Sequence, residues 1–237
     1  MMKIYVFLLV FFTTFSSNAQ DLDTFFSATN TFLSQYVKDG KVAYTTINKD
    51  QTDLNAILKI AEGISIQKSD ANNYQAFWIN AYNIAVIKGI IDNYPTNSPL
   101  DNKGFFDKTT YNLGGKTITL NDIEHKLLRG NFKDARFHFV LVCGAVGCPP
   151  LINMSYMPNT LDAQLETQTN IALNGSFLKV NANKKKVEAS EIMKWYKDDF
   201  MQDGMTEIDF INSYRTEKIP QNAKLSYFEY NWSLNKQ

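Results

Sequence analysis

Cysteine and histidine are scarce in this 237-residue chain, with two of each, and six Pro and eleven Gly are few for its length. A collagen-like, disordered or coiled-coil chain needs a more biased composition than this one. Charge of one sign is also missing, since 24 Lys and Arg balance 24 Asp and Glu. That balance gives no electrostatic handle for nucleic acid, which is excluded as a partner. P-loop, GxGxxG, GxSxG and EF-hand patterns are absent, so no cofactor is implied. No apolar run beyond the first twenty residues is long enough to span a bilayer. What the chain does have is aromatic side chains: 17 Phe, 12 Tyr and 3 Trp, 14% of the whole. One aromatic-rich core is expected, and the length suits a single domain that needs no staples.

The first residues read as an export leader. Lys3 is the lone charge, Ile4 to Phe12 are uninterruptedly apolar, and Ser17-Asn18-Ala19 offers the small residues of a cleavage site. Cleavage is expected after Ala19, leaving a domain over 20–237. Nine apolar residues are too few for an anchor that must cross a hydrocarbon core, which takes about twenty. Removing Lys3 leaves 23 basic against 24 acidic residues, a net charge of −1. An exported chain, periplasmic or extracellular, with no membrane span after cleavage, is the expectation.

Hydrophobic spacing predicts helices over 22–37, 54–61, 73–94, 122–129, 161–173, 192–200 and 208–214. The third is apolar around nearly its whole circumference, the mark of a helix buried on most sides. Pro95 stops it. Gly114-Gly115 predicts a hairpin between 111–113 and 116–118. A second hairpin is expected between 177–180 and 187–189, and a terminal strand over 225–230. Phe137 to Val142, rich in β-branched and aromatic residues, reads as a buried strand. The class is therefore α+β: one helix-rich domain with a central buried helix and a small, mainly antiparallel sheet. Trp78 and Trp195 are both expected in its core.

All four Cys and His residues fall between 125 and 148. Glu124 and His125 sit on a short helix, His138 on the expected strand, and Cys143 and Cys148 bracket a Gly-containing loop. A thiol in such a loop, with amides for an oxyanion and an imidazole for the proton, describes a nucleophile site. Strand alternation puts Cys143 opposite His138, which makes His125 the better base. The bland readings stand beside these. Cys143 and Cys148 can close a disulfide in an exported protein, Glu124 can complete a capping box with Asn121, and His138 can be a hydrogen-bonded core residue. A zinc site from the four matches no known spacing. Asn80 and Asn83 lie one turn apart on the buried helix, where an amide must find partners or face a cleft.

Five segments, taken in order, carry a resemblance. They are Phe77-Trp78-Ile79-Asn80-Ala81-Tyr82-Asn83, Leu120 to His125, Asp134-Ala135-Arg136-Phe137-His138-Phe139 with Cys143 and Cys148-Pro149-Pro150-Leu151, Ile192 to Phe200, and Tyr230 to Asn235. Together they resemble the DUF547 family, a domain of unknown function found in exported bacterial proteins and in some multidomain eukaryotic ones. Where this chain has Ala135 the family pattern has Pro, and where it has Gly147 the pattern often has Ser. The resemblance implies no established activity. The reading that results is an exported binding or scaffold module for a peptide, polymer or small molecule. The alternative is a thiol-dependent hydrolase or acyltransferase acting on a peptide or envelope polymer. Its catalytic candidates are Cys143, His125, Glu124 and Asn80; binding candidates are Trp78, Asn83, Arg136 and His138.

Overall fold

The computed structural model describes residues 14–181 and 183–237. Lys3 and the apolar stretch of the expected leader lie outside the described residues. Helix α1 (Thr14–Tyr36) runs through the expected cleavage site, and Phe25 and Phe26 on it are buried. It passes into a small hairpin of β1 (Val37–Lys38) and β2 (Lys41–Val42). Helices α2 (Tyr44–Lys49) and α3 (Thr52–Gly63) then lead to α4 (Ala71–Asp92). From Ala76 to Ile87 every side chain of α4 is buried, as an all-round apolar helix requires. Helices α1, α2 and α3 pack around it, and it ends three residues before Pro95.

The second hairpin pairs β3 (Thr110–Leu113) with β4 (Lys116–Thr119). Gly114 and Gly115 both adopt left-handed backbone, φ 61° and 69°, the twist a two-residue antiparallel turn needs. A helical segment follows as α5 (Leu120–Asp122), a π-helical turn (Ile123–Arg129) and α6 (Gly130–Phe132). This corrects two expectations. Thr119, not Asn121, caps the segment by accepting from the Asp122 N–H at 3.1 Å, because the helix starts earlier than the apolar spacing suggested. Nor does it end at 129, as the expected helix over 122–129 would: the Gly130 N–H bonds back to the His125 carbonyl and α6 continues to Phe132.

The expected strand over 137–142 is also corrected. Ala135–Phe139 forms a 3₁₀ turn capped by Asp134. Beyond it no strand pairs with Val140 to Val142; the Asn83 amide does so instead. Asn83 Nδ2 donates to the Val140 carbonyl, and its Oδ1 accepts from the Val142 N–H, both at 2.9 Å. A side chain thus supplies the partners a strand edge would have supplied.

The C-terminal half contains α7 (Leu161–Asn174), β5 (Leu178–Asn181), β6 (Lys186–Ser190), α8 (Glu191–Trp195), α9 (Lys197–Phe200), α10 (Glu207–Tyr214) and β7 (Lys224–Phe228). Strand β6 pairs antiparallel with β5 and parallel with β7. Ser190 caps α8, its hydroxyl accepting from the Ile192 N–H. The last residues turn back across the molecule. Val146 and Gly147 N–H bond to the carbonyls of Ser233 and Asn231, and Asn235 N–H bonds to Gly144.

The fold is α+β, helix-rich, with small and mainly antiparallel sheets. Its core divides into two clusters, one around α4 and one around β6, α8 and α10. The 3₁₀ turn joins them: Phe137 belongs to the first cluster and Phe139 to the second. Trp78 is buried in the first. Trp195 is 45% exposed, not a core residue, since α8 is only a little over one turn long and its sheet-facing positions are taken by Ile192 and Met193.

Candidate functional site

A cleft of about 390 Å³ opens where the two clusters meet. Three consecutive side chains explain its placement. A 3₁₀ turn rotates successive residues by roughly 120°, where a strand would alternate them by 180°. Phe137 and Phe139 therefore enter different clusters, and His138 between them faces the cleft. Cys143 lines the same cleft. The expectation that these two residues lie on opposite faces was strand geometry, and the turn removes it.

From the first half, Tyr82 on α4, Phe106, Asp107, Asn121 and the buried Glu124 line the cleft. Glu124 projects from the π-helical turn, whose wider winding is often found at functional sites. From the second half come Ile192, Trp195, Tyr196, Tyr230 and Trp232. Three of these form an aromatic wall. Tyr230 and Trp232 have ring centroids 4.6 Å apart, and Trp195 stacks on Trp232 at 6.0 Å.

His138 is held from two sides. Its Nε2 lies 2.7 Å from Asp199 Oδ2, and its ring stacks on Tyr196 at 4.0 Å. Burial is the largest single influence on Asp199 and pushes its carboxyl up. Hydrogen bonds and charge from His138 and Arg129 outweigh it and hold Asp199 well below the usual carboxylate range. An ionised carboxylate only accepts, so Nε2 carries the proton and Nδ1 of a neutral ring is left as acceptor. Burial also raises the hydroxyls of Tyr82 and Tyr196, with the Glu124 charge adding to both, and burial then Tyr196 raise Tyr230. All three phenols stay protonated at neutral pH and remain donors around a carboxylate.

Cys143 and Cys148 are joined as a disulfide, with Cα atoms 6.4 Å apart. The Tyr230 hydroxyl sits 2.9 Å from Cys143 Sγ and 3.0 Å from Cys148 Sγ. Gly147 permits that approach, since a Cβ there would lie 2.8 Å from the Tyr230 ring.

The other residues singled out in the sequence lie elsewhere. His125 is exposed and lines no part of the cleft; its Nδ1 accepts from Arg129 at 2.5 Å. Cys143 and His125 thus do not form a thiolate–imidazole couple in this arrangement. Asn80 is spent on structure: Nδ2 donates to the Ala76 and Tyr156 carbonyls at 2.8 Å, and Oδ1 accepts from the Tyr156 N–H at 3.0 Å. Asn83 holds Val140 and Val142 as described. Trp78 packs beneath Gly114, where a Cβ would meet its ring at 2.7 Å. Arg136 forks onto Asp134 and reaches Asp162, tying the 3₁₀ turn to α7. Among the described residues, no three His, Cys, Asp or Glu side chains gather as a metal site.

The cleft therefore offers a buried carboxylate, an imidazole fixed by an ion-paired aspartate, a disulfide and an aromatic wall. Residues 66–171 match the DUF547 family, a protein family of unknown function. The matched segment supplies α4, Glu124, His138 and both cysteines. The aromatic wall lies outside it, in residues 195–232. No curated protein and no solved structure matches the chain.

Sequence reasoning missed Tyr82, Tyr196, Tyr230 and Trp232. The available signal was that Trp195-Tyr196 and Tyr230-Trp232 both stand in the segments resembling the family, next to charged residues rather than inside apolar runs.

Proposed function

We propose that this protein belongs to the DUF547 family and is an exported ligand-binding module whose cleft takes a small molecule or peptide side chain bearing a cationic group on an apolar body. One observation carries the reading: Trp195, nearly half exposed, stands with Trp232 and Tyr230 in an open cleft whose charged lining residues are the acids Glu124 and Asp107. An exposed aromatic patch in a concavity marks a binding surface more often than a packing accident. No Lys or Arg lines this cleft among the described residues. Aromatic faces with a carboxylate suit a cation, each such contact being worth about 0.5–2 kcal/mol. With its cysteines joined, the cleft holds no free thiol for acyl transfer, which supports binding over the hydrolase or acyltransferase alternative.

Tetramethylammonium, chitotriose and an uncharged Trp-containing dipeptide amide separate the chemistries in saturation-transfer NMR. Tetramethylammonium should give signal with the native protein and lose it with Trp195→Ala and Glu124→Gln. Signal from the neutral probes alone would overturn the cationic reading, and none from any probe would overturn the binding reading.

The leader supports export. N-terminal sequencing of protein recovered from outside the cytoplasm should begin at Gln20; an intact Met1 would defeat that part.

A further inference from the structure

The disulfide stands in a setting that a structural staple does not call for. It spans five residues of sequence, the short-loop limit at which a cross-link restrains the unfolded chain least. Its loop is already held, since Gly144, Val146 and Gly147 bond to the returning C-terminal segment and Cys148 N–H bonds to Ala145. Both sulfurs are half-buried and line an open cleft. The two sulfurs are also not equivalent. The Tyr230 hydroxyl has one proton to share between them, 2.9 Å from Cys143 Sγ and 3.0 Å from Cys148 Sγ. The Cys143 N–H, 2.9 Å away, donates to Cys148 Sγ alone.

We propose that Cys143 and Cys148 are a redox-active pair that exchanges with peptide thiols entering the cleft, Cys143 taking the mixed disulfide and Cys148 leaving as the thiolate. The Cys143 N–H, joined by the Tyr230 proton as charge develops, stabilises negative charge at Cys148 Sγ, and a better leaving thiolate speeds attack at its partner sulfur. The incoming thiolate bonds to Cys143 Sγ as the Cys143–Cys148 bond breaks, and the electron pair departs on Cys148 Sγ. A second peptide thiolate then attacks the mixed disulfide. The peptide leaves oxidised, with one new disulfide, and the protein holds two thiols after taking up the two protons the peptide thiols gave. A small-molecule disulfide such as oxidised glutathione restores the pair by the reverse exchange. Burial keeps the Tyr230 hydroxyl protonated, as a donor must be. The proposal does not rest on the cleft's preference for cations, because the reacting atoms are the two sulfurs and their donors.

The test uses the mature protein under native conditions with glutathione as the probe thiol and mass spectrometry as the readout. The native protein should equilibrate reversibly with reduced and oxidised glutathione. In Cys148→Ser, oxidised glutathione should place a stable adduct on Cys143. Alkylation of Cys148 in Cys143→Ser should titrate below the ordinary thiol value of about 8.5. Tyr230→Phe should slow reduction by glutathione about tenfold, as loss of one hydrogen bond to a charged sulfur predicts, and move that titration upward. A pair that survives dithiothreitol without unfolding would overturn the proposal. So would a Cys148 that titrates at the ordinary value in Cys143→Ser, a measurement that does not depend on Tyr230→Phe folding. Binding of tetramethylammonium with an inert disulfide would leave the cleft reading standing and remove this one alone.

Discussion

The half of this molecule built on α4 and the half built on β5, β6 and β7 use their aromatic residues differently. Around α4, Phe25, Phe77 and Trp78 are shut inside a helical wrap, and the two buried amides of α4 are spent on backbone. Asn80 and Asn83 each satisfy loop amides and carbonyls that would otherwise be buried unpaired. In the other half, Phe139, Phe177, Phe200 and Phe210 make a smaller core, and the remaining aromatics continue out to the surface as the cleft wall. Short strands and helices of four or five residues cannot cover every large side chain they carry. The family match covers α4 and the cysteine loop but not the wall. What the contrast teaches is that one wall of the cleft belongs to the scaffold and the other is an edge of a core left open.

The two tryptophans put that contrast under the greatest strain. Trp78→Ala should cost about 3–5 kcal/mol in denaturant unfolding, the usual loss for a fully buried Trp. A shift near zero would mean that the α4 half is not the main core. Next in size, Asn83→Ala leaves the Val140 carbonyl and the Val142 N–H without partners in a dry interior. Each such group costs about 1–3 kcal/mol, so a total of about 3 kcal/mol is expected. If Asn83→Ala instead melts like the native protein, the amide does not stand in for a strand edge.

The joint between the halves is the Asp199 ion pair, and its contribution depends on pH. The folded protein depresses the Asp199 carboxyl, so its stabilising effect is complete above the unfolded carboxylate value of about 3.9 and fades as pH falls below it. Asp199→Asn should lower stability by about 1–2 kcal/mol at pH 7. Its melting curve should converge on that of the native protein as the pH drops below about 4. A gap that persists into acid would show packing rather than charge. Smallest of all, Trp195→Ala should change stability by less than about 0.5 kcal/mol, as for a surface substitution. A loss comparable to that of Trp78→Ala would return Trp195 to the core and close the wall.

Periodicity and punctuation were enough for much of the architecture. The all-round apolar run of α4, its stop before Pro95, the Gly114-Gly115 turn and the α+β class are all legible, because each depends on local chemistry. The stretch 137–142 was misread for a physical reason. Its β-branched and aromatic content reports burial as well as strand pairing, and whether a partner edge lies beside it is a tertiary fact. Without an edge, Asp134 caps a 3₁₀ turn and Asn83, far away in sequence, finishes the hydrogen bonding. The same turn decides the site. The sequence by itself determined the all-round burial of α4 and the places of the longer helices, since hydrophobic spacing is read within one element at a time. Only the tertiary structure decided that His138, not His125, shares a cleft with the cysteines, and that Tyr230 and Trp232 complete it. Tyr230 meets Cys143 and Cys148 across 87 and 82 positions, and nothing in local spacing encodes which surfaces two packed halves will bring together.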